Sequence, residues 1–315
     1  MAIQLLHMPD DLTDLLRLRY EAALEASKDR SPAERIIAYD PAECEAVEKV
    51  GPFIKRLEPR RKQKQKKGTP DDCEVVRPAQ VTIVCPEIDP ARFNFTRIRP
   101  EERLHTIELA GSRYHFVVNK YPALPHHLLL VSDDLRPQIL THQDLQAIHE
   151  FISHQPLTIN HDPYLAFFNS WSAAATVNHL HFQIFEGPAP IQDFSLESVG
   201  KSHTAPAFRV QAHPSDNIVF DTASIDAVWK EVHHLISVNQ PHNLLFTPTH
   251  TYLFPRNPDP ARKGKEIYGE ETGGIEYAGI FITYDRQTFE SLTLPRIEEL
   301  LRKTTSLPST INHQP

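Results

Sequence analysis

His179-Leu180-His181-Phe182-Gln183, running on into Ile184-Phe185, is the stretch that decides the reading of this chain. Polar and apolar residues alternate through it and two are aromatic, the pattern of a β-strand. Alternate side chains of a strand share a face. His179, His181 and Gln183 therefore line one side, roughly 6–7 Å apart, while Leu180 and Phe182 enter a core on the other. Two imidazoles and a carboxamide so spaced suit chemistry on a phosphate. A neutral imidazole is a nucleophile near pH 7 and can take up phosphorus as a phosphoramidate, dividing one hard displacement into two easier ones. Gln183 donates through its amide but does not titrate. It therefore favours holding an intermediate for an acceptor better than water, where a third His would supply a general acid.

Upstream lies Asn169-Ser170-Trp171-Ser172-Ala173-Ala174-Ala175-Thr176-Val177-Asn178. Its small residues let backbone approach a ligand, and the hydroxyls and amides of Asn169, Ser170, Thr176 and Asn178 offer neutral donors for phosphate oxygens. Without a glycine it is neither a P-loop nor a dinucleotide fingerprint. Two other readings of the motif are a structural or exposed histidine pair and a zinc site completed by His126 and His127, or by His161. No carboxylate or cysteine stands at ligand spacing nearby, so no metal is assigned.

Asn178-His179-Leu180-His181-Phe182-Gln183, with Phe168-Asn169-Ser170 ahead of it, resembles the motif of the histidine-triad (HIT-like) nucleotidyltransferases and phosphorylases. Phe93-Asn94-Phe95-Thr96-Arg97 is similar to a segment of the GDP-hexose phosphorylases, the plant GDP-L-galactose phosphorylases included. Val118-Asn119-Lys120-Tyr121-Pro122-Ala123-Leu124-Pro125-His126-His127-Leu128-Leu129-Leu130-Val131 looks more like diadenosine tetraphosphate phosphorylases. The resemblance implies an α+β fold: a HIT-like antiparallel sheet with packed helices, in two pseudo-repeated halves. It implies that His181 is the nucleophile, that His179 orients it and contacts phosphate, and that Gln183 holds the intermediate's oxygens. It implies cleavage at the α-phosphate, with the nucleoside monophosphate passed to inorganic phosphate or a sugar phosphate. In one respect the sequence departs. Where the diadenosine tetraphosphate enzymes carry a Ser-Gly-Ala-Ser type loop, this chain has Ser172-Ala173-Ala174-Ala175-Thr176, and only Thr176 keeps a hydroxyl near the final position.

The whole-chain numbers suit a globular enzyme. The 315 residues are 40% hydrophobic and 23% charged, enough for one large domain or two smaller ones. A formal net charge of −8 argues against non-specific nucleic-acid binding. Cys44, Cys73 and Cys85 form neither a disulfide framework nor a metal spacing. With no signal-like N-terminus and no apolar run of membrane-spanning length, a reducing, cytoplasmic setting is expected. The expected partners are a nucleotide and inorganic phosphate, with no nucleic acid or membrane; the chain is expected as monomer or homodimer. No cofactor is required beyond Mg²⁺ that would accompany the nucleotide.

Apolar spacing predicts helices over 10–29, 41–57 (broken or kinked at Gly51-Pro52), 141–151, 224–238 and 295–303. Strands are expected over 81–85, 104–109, 114–118, 128–131, 164–168, 180–185, 243–247, 251–256 and 277–284. Thr141 with Asp144 three residues on reads as a helix cap. Lys120, at the end of a buried strand, is a candidate phosphate ligand. The basic run from Arg60 to Lys67 reads as a solvated loop. Arg256, Lys263 and Lys265 are read as surface charges, and Gly264–Gly274 as an exposed loop. The strand pair 243–256 resembles the pattern of 116–131, which suggests a second copy of one unit. The expected organisation is 1–90 helical with a basic loop, 91–200 the catalytic half, 201–304 the second half, and 305–315 a frayed tail.

Overall fold

The structure, a computed structural model, describes residues 12–62, 84–155, 162–203, 205–257 and 266–307. It opens on helix α1 (Leu12–Lys28) and a hairpin of β1 (Ala46–Val50) and β2 (Phe53–Leu57). Gly51, at φ +62°, takes the first turn position, where a type II′ hairpin calls for glycine, and Pro52 follows with its fixed φ. The helix expected over 41–57 is thus a correction. Phe53, Lys55 and Leu57 are buried while Ile54 and Arg56 are half-buried, a period of two along β2; the helical stripe was a coincidence of spacing.

Among the described residues the large sheet is antiparallel and has ten strands: β3 (Arg103–Leu109), β4 (Ser112–Val118), β5 (Leu128–Ser132), β6 (Tyr164–Asn169), β7 (His181–Glu186), β8 (Leu196–Ser202), β9 (Ala205–Val210), β10 (Ile218–Asp221), β11 (His242–Phe246) and β12 (His250–Pro255). Their order is β3-β4-β5-β7-β6-β11-β12-β10-β9-β8. A last strand, β13 (Ile280–Thr283), joins β2 in parallel, so the small sheet β1-β2-β13 unites both ends of the chain. With helices α2 (His142–Ser153), α3 (Ile225–Ser237), α4 (Gly274–Tyr277), α5 (Arg286–Ser291) and α6 (Leu294–Thr304), the fold class is α+β.

The pleat sorts the side chains. Leu180, Phe182, Ile184, Phe168, Leu244 and Phe246 pack on one face against α1, α2 and α3 through Leu16, Tyr20, Ile148, Phe151, Val228 and Val232. On the other face Phe167, Phe185 and Leu245 meet the small sheet, α4 and α6. Beside them Val117, Leu129 and Val131 meet Phe95. His181 and Gln183 alternate with Leu180 and Phe182, so they belong to this second face, away from the long helices.

The Thr141 cap is present as a full capping box with Asp144. The region 277–284 is strand only from Ile280, because α4 and Gly279 (φ +99°) turn the chain before it. Strands β8 to β10 escaped the sequence reading: β8 has no fully buried position, and edge strands need little apolar content. Thr305 is 3% exposed and pairs with Arg256, so the tail is anchored to that point. Residues 81–83 of the first expected strand, most of the basic run and 264–265 lie outside the described residues; Val84 and Cys85 are not in a strand. No helix among the described residues is long and apolar enough to cross a membrane.

Candidate active site

β7 begins at His181, where it parts from β6. The two strands pair from Tyr164↔Glu186 to Phe167↔Gln183. At the next step the side chain of Gln138 intervenes. Its Nε2 donates to the carbonyls of Asn169 and His181, each at 3.0 Å, and its Oε1 accepts from the His181 N–H at 2.8 Å. Gln138 is fully buried, so three backbone groups that would otherwise be orphaned are satisfied by one amide.

The segment leading into β7 is held by the 132–138 loop. Leu180 N donates to Arg136 O, and Ser132 N to Leu180 O. Arg136 is itself tied to the cap of α2. Its guanidinium forks onto the carboxylate of Asp144, which also accepts from Tyr114 and Thr141. Burial pushes the Asp144 acid up, but the Arg136 and hydroxyl hydrogen bonds outweigh it and hold the carboxyl below its ordinary value.

The two motif histidines take different roles. His181 Nδ1 lies 2.8 Å from the His179 carbonyl. A carbonyl only accepts, so Nδ1 carries the proton and the lone pair is on Nε2. The ring is 6% exposed and meets the edge of Phe95 at 5.1 Å between centroids. His179 has both ring nitrogens engaged by backbone: Nδ1 accepts from Phe95 N–H at 3.2 Å, and Nε2–H donates to the carbonyls of Ser132 at 2.9 Å and Asp134 at 3.1 Å. Burial lowers its pKa, partly offset by those carbonyls. The His179 main-chain carbonyl thus meets the His181 ring, while the His179 ring itself is bound by backbone groups on both nitrogens. The Phe93–Arg97 segment thus meets the histidine motif directly.

Gln183 is oriented by His127, which is 0% exposed. Ala123 N–H donates to His127 Nδ1 at 3.1 Å, which leaves the proton on Nε2, and Nε2 stands 3.0 Å from Gln183 Oε1 and 3.1 Å from Asn119 Nδ2. The Gln183 oxygen is therefore taken, and its NH₂ is the end turned elsewhere. His126, the adjacent residue, faces another way, to Glu186 and Glu21. The grouping of His126, His127 and His161 with the motif is not brought together: the first two diverge and His161 lies outside the described residues. Among the described residues no set of three His, Cys, Asp or Glu is arranged to hold a metal ion.

The other sequence candidates separate. Ser170 is buried and pins the loop to β11, accepting from His242 N at 2.9 Å. Asn178 bridges Gln138 N and Glu87 O. Asn169 is buried beside His181; its Oδ1 accepts from Asn243 Nδ2 at 2.7 Å and Gly274 N at 2.8 Å. Thr176 is exposed. Lys120 reaches the Ala33 carbonyl at 3.4 Å, in the stretch after α1. Between Ser170 and Thr176 the backbone alternates: Ser172 stands at φ +67° and Ala174 at φ +74°, with Ala173 outside the positive region. The Ala173 N–H turns back onto the Ser170 carbonyl at 2.9 Å, which closes the turn, and the two residues flanking Ala173 hold the left-handed conformation. For residues with a Cβ it costs ~1–2 kcal/mol each. Ala174→Gly should therefore raise the thermal midpoint by a few degrees; an unchanged or lower midpoint in calorimetry would mean that no strain is stored there.

Buried ionisable groups near this face set a pH dependence. Burial lowers His242 to about 4 and His213 to about 3, from an ordinary 6.5. The unfolded chain takes up these protons first, so stability is full above about pH 6.5 and falls as pH drops, by up to about 1.4 kcal/mol per unit for each group. Glu276 runs the opposite way: burial raises it to about 8 from 4.5, so stability is lost as pH rises across that interval. The thermal midpoint should peak near pH 6.5, and Glu276→Gln should flatten the decline toward pH 8. A midpoint that rises steadily from pH 6.5 to 8 in the unaltered protein would contradict this.

Residues 29–185 match the family described as GDPGP1-like, N-terminal domain. GDP-D-glucose phosphorylase 1 of Danio rerio is 25% identical over 259 residues, 72% of this chain and 71% of the relative. The Bos taurus protein of the same name is 28% identical over 267 residues, 72% and 66% of the two chains. Diadenosine 5′,5‴-P1,P4-tetraphosphate phosphorylase 2 of Saccharomyces cerevisiae is 29% identical over 131 residues, 38% of this chain and 40% of its own. The fold is that of yeast Ap4A phosphorylase Apa2, solved in complex with Ap4A, at a TM-score of 0.62 and 16% identity over 95% of this chain and 98% of that one. Residues 29–185 thus carry the GDPGP1-like N-terminal domain, and the fold as a whole is that of Apa2.

Proposed function

We propose that this protein is a phosphorylase-type nucleotidyltransferase acting on a nucleoside diphosphate-hexose or a dinucleoside polyphosphate. The observation that carries the reading is the His181 Nδ1–His179 O hydrogen bond. It fixes the tautomer that offers Nε2 as nucleophile, and it stabilises the positive charge the ring acquires on reaction. Nε2 attacks the α-phosphorus; the phosphoanhydride P–O bond breaks, and the sugar phosphate or nucleoside polyphosphate leaves with the bonding pair. An oxygen of inorganic phosphate then attacks the same phosphorus, the N–P bond breaks, and a nucleoside diphosphate departs with His181 neutral again. The Gln183 amide and the N–H groups of the 172–178 loop would hold the charge that develops on the phosphoryl oxygens. This chemistry asks for no resident cofactor; Mg²⁺ would arrive with the nucleotide.

The two-half organisation is part of the proposal. The first half reads β3-β4-β5-β7-β6 with α2 inserted after its third strand. The second reads β8-β9-β10-β12-β11 with α3 inserted after its third. They join through β6 and β11, where Ala166 pairs with Phe246 and Phe168 with Leu244. On this reading β11–β12 answers to β6–β7 rather than to residues 116–131, and the boundary falls before Leu196 rather than at 200.

The substrate test uses labelled GDP-glucose, GDP-galactose and diadenosine tetraphosphate, each with and without phosphate. Phosphate-dependent release of a nucleoside diphosphate from one of them supports the reading. Phosphate-independent release of the monophosphate alone would favour a hydrolase.

A further inference from the structure

The polar row on the second face does not stop at Asn169. On β11, Asn243 stands opposite it in register, and just beyond β12 comes Arg256. Its sequence context is that of a surface charge. It is 0% exposed and heads the largest fully buried side chains. Its guanidinium donates to Asn243 Oδ1 at 2.5 Å, Thr272 O at 3.0 Å, Thr272 Oγ1 at 2.8 Å and Thr304 O at 3.0 Å, and lies 4.6 Å over the Tyr277 ring. All four acceptors are neutral. Among the described residues it makes no ion pair; Glu276 and Glu271 act on it only through their field.

A buried cation with neutral partners is costly, and apolar replacement of such groups is often neutral or stabilising. Its hydrogen bonds lead toward the nucleophile. The amide that accepts from Arg256 passes on two hydrogen bonds: Asn243 Nδ2 donates to Asn169 Oδ1 at 2.7 Å and to Ala173 O at 2.9 Å. Asn169 shares Gln138 with His181, and Ala173 lies between the two left-handed residues. Donation from a cation polarises the Asn243 amide and strengthens what it donates in turn.

We propose that Arg256 is a positioning residue for nucleotidyl transfer, acting through Asn243 to fix the Asn169 carboxamide and the 172–174 turn beside His181. The proposal rests on the reading of His181 as nucleophile. Only an arginine reaching both Asn243 and Thr272 completes the relay; a lysine keeps the charge and one of the bonds.

The test is a double-mutant cycle on single-turnover label transfer from radiolabelled GDP-glucose or diadenosine tetraphosphate to the protein, with kcat and KM measured alongside. Arg256→Met and Asn243→Ala should each lower the transfer rate about 10²-fold, with KM changed far less. The double variant should be no slower than the worse single one, and Arg256→Lys should recover part of the loss. Thr272→Val, a milder change that removes one hydroxyl, should lower kcat several-fold and serves if the Arg256→Met protein does not fold. Multiplying single effects, or a Thr272→Val or Arg256→Lys protein with unaltered kcat and only a lower thermal midpoint, would overturn the proposal and reduce Arg256 to a core residue. Failure of the unaltered protein to take up label would overturn the His181 reading as well, which separates the two.

Discussion

A His181→Ala protein is expected to lose turnover by ~10⁴-fold or more while keeping its fold and its affinity for nucleotide. The size of the loss follows from the role. Without Nε2 there is no covalent route, and water in the same place lacks both the nucleophilicity and the alignment that the His179 carbonyl gives the ring. The fold should survive because the framework contacts belong to its neighbours. Gln138 binds the backbone of residue 181, and the 132–138 loop binds residues 179 and 180. Steady-state kinetics with titration of nucleotide binding separates the outcomes. Near-normal turnover would remove the nucleophile from this site; loss of binding together with turnover would point to a structural role.

The second large effect concerns the Gln183–His127 pair. Gln183→Ala should lower kcat by ~10²–10³-fold, the scale for losing one preorganised donor to a developing oxyanion. His127→Ala should lower it too, although His127 is buried and has no place for substrate, because it fixes which end of the Gln183 amide is presented. The double variant should be little worse than Gln183→Ala, since His127 acts through Gln183. Gln183→His should raise hydrolysis relative to phosphorolysis by supplying a titrating group beside the intermediate. Independent, multiplying losses would show that His127 serves only the core, and an unchanged product ratio in the Gln183→His protein would remove the acceptor argument.

Much of strand β7 was legible because its signal is local. Alternation over residues 179–185 fixes which face each side chain takes, and the Thr141–Asp144 box is a four-residue pattern. The partners of those residues were not legible, because they come from afar in sequence. Gln138 reaches His181 and Asn169 from the loop before α2, and nothing in its neighbours marks it. His127 looked like a structural histidine or a metal ligand; its partner, Gln183, is 56 residues away. Arg256 carried the ordinary signal of a surface charge beside a Pro-rich stretch, and only the packing of Thr272, Tyr277 and Thr304 around it reveals otherwise. The helix expected over 41–57 failed because its apolar stripe was a chance spacing: of its five residues only Phe53 is buried, and the Gly51-Pro52 turn folds the segment into a hairpin.

The most direct measurement is mass spectrometry of the peptide bearing residues 179–183 after incubation with GDP-glucose or diadenosine tetraphosphate in the absence of phosphate. The expected result is a nucleoside monophosphate bound to His181, labile in acid and discharged by added inorganic phosphate as the nucleoside diphosphate. Full consumption of substrate with His181 unmodified, or the adduct on another residue, would contradict it.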